Sequence, residues 1–473
     1  MKKKTKWAMR FLSLFLSILL VSEILPLNVF AQEMSFDTND NSITAKQDNE
    51  GVSETVEEPP QIISEDISQR ENDVKHFLMS DGSYMAVQYS SPVHFKNQEN
   101  EWEEYNNNLS ETEALQEDQT ERLFSFSKEK DFVNQKADFS VRFSKKTNGK
   151  KLVRLEQDGC QLSWSYLGMN KKTADVTNGT ADDDPKTLEK LQSQVIYKNV
   201  FENVDLQYVL LGNTIKENFI LNSSNSTNEF TAQYKTKGLT AKQVNEQEVS
   251  FCNSNGETVF TLRAPLMFDS NGAMSDGVAL EIIENKNNSV TIRTTADENW
   301  LKAEERSYPV TIDPAIFTKQ KMSDIEGAFV SVKENGQGAG NEAYGEMFYE
   351  VGYDSYSKYK TRIYLNFKLP ALDKSDIVVA AYMNLYLLDA SFYSNSVPDA
   401  VLDLHEAKSG NWKYNTLTWA NQPGYNDIVV DTLSVPNPKG GAVDYKWYTY
   451  DVSKTIKKMV HKSFITNRFC NKA

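Results

Sequence analysis

The amino-acid sequence predicts an all-β protein with two or three antiparallel β-sandwich lobes of jelly-roll-like form. Short runs of alternating apolar and polar residues recur from about residue 74 to 460, and Asn- and Gly-containing pairs separate several of them. A period of two places successive side chains on opposite faces of a strand, and such pairs favour tight hairpin turns. Helical periodicity is scarce, and only residues 184–194 resemble a short helix.

The first 31 residues have the layout of a cleavable secretion signal. Lys and Arg occupy five of the first ten positions, an apolar run follows at 11–21, and Val29-Phe30-Ala31 provides a small-x-small cleavage pattern. A membrane anchor is the competing interpretation, but a span needs about 20 apolar residues, and Glu23 interrupts this run earlier. We therefore expect a signal peptide at 1–31, a secreted or extracellular product, and no integral membrane segment after cleavage.

Residues 32–72 are predicted to be a disordered acidic linker, because they are rich in Asp, Glu, Ser, Asn and Gln and bury too little apolar surface to offset the entropy cost of ordering. A β-rich region is predicted over 73–314. Its hairpin turns are expected at Gly212-Asn213, Asn255-Gly256, Asn271-Gly272 and Asn287-Asn288. Pro314 closes the last strand of this region, since proline cannot donate to a β-ladder.

A second β-rich unit is predicted over 321–460. Its strands are expected at 328–332, 361–369, 379–388 and 402–406. Ser453 is a candidate N-cap for a helix ending at Val460. Residues 461–473 are basic and lack an alternating strand after the helix, so we expect an aberrant or disordered tail and an incomplete sandwich. A frameshift or premature end would explain this tail, and simple disorder is the alternative.

The composition argues against several kinds of site. A net charge of -15 and a pI near 5.0 argue against nucleic acid as a partner, since phosphate binding needs a basic face. Cys160, Cys252 and Cys470 form no CxxC pair, so we expect no metal and no cofactor. Pairing of Cys160 with Cys252 stays open, with free thiols favoured. The acidic run 182–184 lacks the ligand spacing and turn glycine of a calcium loop.

Catalytic signatures are weak throughout the sequence. His405-Glu406 lacks the second histidine of a zinc protease motif, and no G-x-S-x-G elbow occurs. Gly336, Gly338 and Gly340 lie in a polar loop and not between a strand and a helix, which argues against a nucleotide site. We therefore expect that the protein is not an enzyme and name no catalytic residue.

Aromatic side chains of the second unit are the candidate binding residues, because sugars stack on aromatic rings while nearby polar groups hold the hydroxyls. The selected candidates are Tyr353, Tyr356, Tyr359, Trp412 and Trp447. Core packing is the competing interpretation for Trp412 and is favoured for Trp419. Arg362 begins a strand and is interpreted as a buried pairing residue.

Two sets of segments resemble known families. Residues 77–84 with 89–95, 200–208 with 215–218, and 308–314 together resemble the N-terminal region of bacterial wall-associated, RHS-repeat proteins. That resemblance implies a surface or secreted location. Such proteins usually continue into long Tyr-Asp repeats and sometimes a C-terminal toxin. No such repeat series occurs in this sequence, so toxin delivery is not carried over.

Residues 321–460 resemble a DNRLRE domain, a secreted β-sandwich related to carbohydrate-binding modules. The residues that carry this resemblance are 362–367, 380–387, Asn411-Trp412, 417–423 and 450–453. Where the family continues with a Trp-containing helix end and a final strand, this chain has Met459-Val460-His461 and the basic tail. The resemblance implies contact with glycans.

Together these observations predict a secreted, non-catalytic bacterial cell-surface protein that binds cell-wall or environmental polysaccharide through 321–460, and no nucleic acid. One alternative is the structural N-terminal stalk of a truncated RHS-type surface protein or toxin. Another is the accessory part of an exported polysaccharide-degrading enzyme. Two carboxylates about 5–10 Å apart across a cleft would favour the enzyme, whereas exposed aromatics on one sandwich face would favour binding.

Overall fold

The structure is a computed structural model with two compact units, one of residues Leu25–Lys321 and one of Met322–Ala473 together with Met1–Ile24. Regular structure in the described residues is almost entirely antiparallel β-sheet, which confirms the predicted fold class. The described residues are 18–19, 60–89, 91–113, 130–147, 151–179, 188–264, 266–270, 273–318, 325–333, 349, 351–354, 359–369, 377–387, 390, 392, 394–413, 416–439, 447–461 and 466–472.

The strands are numbered in chain order. The first are β1 (Ile18–Leu19), β2 (Ile62–Glu65), β3 (Val74–Met79), β4 (Tyr84–Gln88), β5 (His94–Lys96), β6 (Trp102–Glu104), β7 (Asn106–Glu113), β8 (Lys130–Lys136), β9 (Ser140–Ser144), β10 (Val153–Gln157), β11 (Cys160–Tyr166), β12 (Asp175–Asn178), β13 (Gln192–Phe201), β14 (Val204–Leu211), β15 (Thr214–Leu221), β16 (Glu229–Lys237) and β17 (Thr240–Asn245). The next are β18 (Glu248–Cys252), β19 (Thr258–Arg263), β20 (Met267–Asp269), β21 (Met274–Ser275), β22 (Val278–Lys286), β23 (Ser289–Ala296), β24 (Val310–Ile312) and β25 (Ala315–Phe317).

The remaining strands are β26 (Ile325–Lys333), β27 (Gly352–Asp354), β28 (Tyr359–Lys368), β29 (Tyr382–Leu387), β30 (Ala400–Ala407), β31 (Tyr425–Val435), β32 (Trp447–Asp451) and β33 (Thr466–Lys472). The α-helices are α1 (Glu298–Leu301) and α2 (Ser453–His461). Short 3-10 helices lie at Ile67–Gln69 and Glu189–Leu191.

The unit Leu25–Lys321 is built on two large sheets that share one core. One sheet has the order β22-β23-β16-β11-β10-β9-β8-β7. The other has the order β12-β13-β14-β15-β25-β19-β18-β17, with β24, β20 and β21 alongside. Trp164 of the first sheet and Tyr208 and Phe219 of the second lie in the same buried cluster. The alternating residues of both sheets therefore fill one sandwich core, as the period-two pattern predicts.

The hairpin between β14 and β15 has the predicted turn, with Leu211 opposite Thr214. Gly212 has φ 51°, and a Cβ there would lie 2.8 Å from the carbonyl oxygen of Pro92, so this turn requires glycine. The turns at Asn255-Gly256 and Asn287-Asn288 are also confirmed by the pairings β18–β19 and β22–β23. Asn271-Gly272 lies outside the described residues, and β20 pairs with β21 on either side of it.

Three predictions for this unit differ from the structure. Pro314 does not close the last strand, because β25 (Ala315–Phe317) follows it and pairs with both β15 and β19. The predicted helix at 184–194 is wrong where it is described, because a 3-10 helix gives way at Gln192 to β13, which pairs with β12 and β14. The predicted linker 32–72 already contains β2, which pairs with β3. Two hydrogen bonds from the Arg70 guanidinium to Glu65, at 2.6 and 2.9 Å, stabilise this segment, and a compositional argument does not detect such a pair.

The unit that contains Met322–Ala473 pairs β26-β28-β33-β30-β31 in one sheet, with β27 beside β28, and β1-β29-β32 in another. Ile363 and Leu365 of β28 share a buried cluster with Leu385 of β29 and Tyr450 of β32. This cluster, which we call the C-terminal core, lies between the two sheets. Four strands of this unit, β26, β28, β29 and β30, lie where the sequence predicts strands.

The end of this unit differs from expectation. A strand, β33, follows α2 and pairs with both β28 and β30, so that Asn467 lies opposite Phe367 and Cys470 opposite His405. The expectation of a tail without a strand at 461–473 is therefore corrected. Phe469 is the single large apolar residue of β33, so hydrophobic alternation does not reveal a strand that is defined by backbone pairing on both edges.

Several other predictions fall outside the described residues. They are the signal peptide 1–31 apart from Ile18–Leu19, the linker up to residue 59, the acidic run 182–184 and the glycine loop 336–340. Cys160 and Cys252 are both free thiols. In the described part of the chain, no helix has the length and apolar character needed to cross a membrane.

Candidate functional site

The outer face of β29 and β32 carries exposed aromatic and polar side chains. Leu385 and Tyr450 point into the C-terminal core, so alternation turns Tyr382 and Asn384 of β29 and the odd-numbered residues of β32 the other way. The resulting surface, which we call the β29–β32 face, consists of Tyr382, Asn384, Trp447, Thr449 and Asp451.

Cross-strand register orders this face. Tyr382 lies opposite Asp451 and Asn384 opposite Thr449, whose hydroxyl donates a hydrogen bond of 2.7 Å to Asn384 Oδ1. Tyr382 is 61% exposed, so its ring is available to a ligand. Five residues of a strand span about 13 Å at 3.2–3.4 Å per residue, which suits a short oligosaccharide.

Asp451 is fixed at the end of the face. Its backbone N–H donates to Asp431 Oδ2 at 2.7 Å, and its Oδ1 accepts from the backbone N–H of Ser453 at 2.9 Å. The predicted capping role of Ser453 therefore belongs to Asp451. The Ser453 hydroxyl instead accepts from the N–H of Ala381 at 2.9 Å and ties α2 to the start of β29.

A second aromatic cluster lies on the other sheet, where the loop 408–424 covers the outer side of β28. The guanidinium carbon of Arg362 lies 4.6 Å from the ring centroid of Trp419 and 5.3 Å from that of Tyr425. Arg362 Nη1 and the Tyr364 hydroxyl both donate to Gln422 Oε1, at 3.1 and 2.9 Å. Arg362 is thus a half-buried pairing residue between two aromatic rings.

Trp412 belongs to the same covering loop. Its ring meets Tyr364 edge-on, with centroids 6.2 Å apart, and it packs half-buried against a small cluster that includes Ala328 and Leu417. Asn366 Nδ2 donates a hydrogen bond of 3.3 Å to the carbonyl oxygen of Gly410 in the same loop. These contacts make Trp412 and Trp419 anchors of the loop.

The five predicted binding residues do not form one site. Ile363 and Leu365 of β28 face the C-terminal core while Tyr364 between them faces away, so Trp412 lies on the opposite side of that core from Trp447. Each of these two tryptophans is on the outer side of a different sheet.

The predicted tyrosines are placed separately. Tyr353 is half-buried on β27, with its ring centroid 5.9 Å from Lys360 Nζ. Tyr359 begins β28, where its backbone pairs with Lys333 and Asp354. Tyr356 lies outside the described residues. Sequence reasoning missed Tyr382, Asn384 and Thr449, although alternation within the predicted strand 379–388 already indicates that Tyr382 and Asn384 share a face.

A buried carboxyl group lies in the core of the unit Leu25–Lys321. Glu217 Oε1 accepts from Trp164 Nε1 at 2.9 Å and from the Tyr208 hydroxyl at 2.5 Å. Burial raises the pKa of Glu217, and hydrogen bonds from Tyr166, Tyr208 and Trp164 oppose this rise. The aromatic packing around the group leaves it no access to a substrate, so its role is structural.

A polar cavity of about 200 Å³ is lined by residues that include Asn228, Glu298 and Lys302. Glu298 is the single carboxylate among the described residues that line it, so these residues provide no pair of facing carboxylates. Glu298 Oε1 lies 2.5 Å from Lys302 Nζ. Among the described residues, His, Cys, Asp and Glu side chains form no group of three or more suited to a metal ion.

Comparison with known proteins adds family information. Residues 319–467 match carbohydrate-binding module family 96. The chain is 25% identical to the tRNA3(Ser)-specific nuclease WapA of Bacillus spizizenii and 26% identical to the tRNA nuclease WapA of Bacillus subtilis, in each case over 96% of this chain. It spans 19% of the length of both relatives. A wall-associated protein of Geobacillus stearothermophilus is 25% identical over 46% of this chain and 83% of its own length.

These similarities support a wall-associated protein with a cell-surface or extracellular location. They also correct one expectation: relatives named as tRNA nucleases align over nearly the whole chain, so the prediction that the protein is not an enzyme is contradicted. The charge argument against nucleic acid is weak for the second unit. Residues 322–473 carry 17 Asp and Glu against 16 Lys and Arg, so the acidic excess lies elsewhere.

Proposed function

We propose that residues 319–467 act as a carbohydrate-binding module of a cell-surface protein, with the β29–β32 face as the ligand surface. The observation that carries this proposal is a row of exposed Tyr382 and Thr449 with half-buried Asn384 and Trp447, within the segment that matches carbohydrate-binding module family 96. Aromatic rings stack on the C–H faces of sugars, and amide, hydroxyl and carboxylate groups bind sugar hydroxyls.

The proposal includes the finer organisation expected from the sequence. A signal peptide at 1–31 exports the chain, 73–314 corresponds to the N-terminal region of RHS-type wall-associated proteins, and 321–460 is a DNRLRE-type domain. The similarity to a wall-associated protein supports the cell-surface location in this arrangement.

The β29–β32 face is a better ligand surface than the loop 408–424. Trp419 is stacked by Arg362 and Trp412 packs on Tyr364, so both rings are already used within the protein. Tyr382, by contrast, presents most of its surface to solvent.

Affinity electrophoresis of the full chain on a panel of bacterial and plant polysaccharides tests this proposal. We expect retardation on at least one glycan, and about tenfold weaker binding, or about 1.4 kcal/mol, for Y382A and for W447A. Tyr84 is also 61% exposed but lies in the other unit, so Y84A is the matched control and should bind as the parent does. Retardation on no glycan, or unchanged binding by both variants, would overturn the proposal.

A second candidate function follows from the names of the relatives. We infer that this chain belongs to a wall-associated protein that acts on tRNA, supported by alignment over 95–96% of the chain. Incubation of the purified chain with total tRNA would show whether the chain itself contributes the cleavage.

A further inference from the structure

A buried lysine and a buried aspartate meet in the sandwich of the unit Leu25–Lys321. Lys216 is on β15, and Asp313 lies in the short link between β24 and β25, both of which pair with β15. Lys216 Nζ is 2.5 Å from Asp313 Oδ2, and the two side chains are 0% and 1% exposed. Neither has a role in the proposed glycan surface.

Backbone contacts hold the two residues in place. The N–H of Glu217 donates to Pro314 O at 2.8 Å, and the N–H of Asp313 donates to Leu266 O at 3.1 Å. Register places Val209 on one side of Lys216 and Ala315 on the other. These two residues are the backbone neighbours of Lys216 in the sheet, and both members of the pair are excluded from solvent.

Burying an ammonium and a carboxylate away from water is costly even when they are paired. Transfer of a proton from Lys216 Nζ to Asp313 leaves a neutral amine, which is a nucleophile, beside a neutral carboxylic acid, which is an electrophile. Fixed proximity removes the entropy cost of bringing the two together.

We propose that Lys216 and Asp313 are a modification site and condense to an intramolecular amide bond. Nζ attacks Cγ of the protonated Asp313, the N–C bond forms, and the C–O bond to the hydroxyl breaks. The hydroxyl leaves with a proton from the nitrogen as one water molecule. An ammonium and a carboxylate thus become one amide and one water, without an oxidant, a reductant or a further reactant.

The bond would close a segment of 97 residues, from the central strand β15 to the link between the last two strands before Met322. A cross-link restricts the unfolded chain and leaves the native contacts in place. It would therefore make the unit resistant to heat and to pulling from the segment that follows it, which suits a protein attached at a cell surface.

The test is the intact mass of the purified full chain, followed by a tryptic peptide map. We expect a mass one water below the value calculated for the purified polypeptide from its observed N-terminus, a branched peptide that joins the fragments of Lys216 and Asp313, and no cleavage after Lys216. K216R keeps a cation but forms no amide, so it should show the full mass and a lower Tm.

Arg306 and Asp269 form an internal control, since they are equally buried at 5% and 1% exposure with 2.8 Å between Nη1 and Oδ2. Their peptides should be linear. If K216R fails to fold, the peptide map of the unmutated chain still shows whether the amide bond between Lys216 and Asp313 is present. Full mass together with linear peptides and cleavage after Lys216 would overturn the proposal and leave a simple buried ion pair.

Discussion

Glu217 shows at the scale of one residue how burial changes an ordinary acid. Its carboxyl group lies among Trp164, Tyr208 and Tyr166, and burial raises the pKa of Glu217 above its usual value of 4.5. Because the pKa of Glu217 is higher in the folded than in the unfolded protein, the contribution of its protonated carboxyl group to stability is fully present below the unfolded-state pKa. It is lost as pH rises through the folded pKa.

Substitution of Glu217 tests this assignment. E217Q keeps an oxygen acceptor for Trp164 and Tyr208 but cannot ionise. As pH rises above 4.5, the free energy of unfolding of E217Q should therefore fall less than that of the unmutated protein. E217L leaves buried donors unpaired and should cost about 2–4 kcal/mol. Urea unfolding between about pH 4 and 8 measures both. The exposed Glu257 provides the control variant E257Q, and the same pH profile for E217Q and the parent would contradict the assignment.

Arg362 shows a different use of a single residue. Its planar guanidinium lies near both Trp419 and Tyr425 while one nitrogen donates to Gln422. Lysine has a compact ammonium that cannot stack and donate in this planar way. The position therefore depends on arginine for the packing of the loop above it.

At the scale of elements, the loop 408–424 is held by side chains more than by regular backbone pairing. Gln422 accepts from Arg362 and Tyr364 and donates through Nε2 to Trp419 O at 2.7 Å. Trp412 adds a ring contact to Tyr364. The conformation of the loop therefore depends on a few side-chain contacts on the outer side of β28.

W419A should loosen this loop without affecting glycan binding, because the loop and the β29–β32 face lie on opposite sides of the C-terminal core. Removal of the ring takes away the stacking partner of Arg362, worth about 0.5–2 kcal/mol, and part of the apolar cover of the sheet. Limited proteolysis should cut within 408–424 sooner than in the parent. Loss of glycan retardation in a folded W419A protein would show that the loop itself carries the ligand.

Strands with strong alternation or a diagnostic turn could be predicted from the sequence. The hairpin of β14 and β15 is an example, since Gly212 adopts a conformation that other residues avoid. β13 and β33 were missed for a physical reason. β33 has little apolar alternation, and β13 begins within residues 184–194, where Pro185 near the start of the segment is typical of a short helix.

The candidate site was predictable only in part, for a related reason. Trp447 was identified by residue type, but residue type does not show whether a ring faces a ligand or a loop. Trp412 and Trp447 are alike in sequence, and only the pairing of β28, β29 and β32 places them on opposite sides of a core. Tertiary pairing, which a local pattern does not contain, decides that point.

At the scale of the whole molecule, charge is unevenly distributed between the two units. The chain has a net charge of -15, yet residues 322–473 carry nearly equal numbers of acidic and basic side chains. The β29–β32 face contains one charged group, Asp451, and its other four residues are neutral. A ligand of that face is therefore expected to be bound by stacking and hydrogen bonds, and a neutral glycan suits it better than a polyanion.

This charge distribution predicts how glycan binding responds to salt. Stacking of a neutral sugar on Tyr382 and Trp447 releases no counterions. The affinity for the glycan that retards the protein in electrophoresis should therefore change by less than about twofold between about 50 and 200 mM salt. A ligand held through 6–10 phosphate contacts would lose about 10³–10⁵ in affinity over the same interval. Affinity electrophoresis repeated at several salt concentrations makes the measurement, with Y84A as the control. A steep fall for the full chain that W447A abolishes would show that the face binds a polyanion, and would contradict the assignment of a neutral glycan.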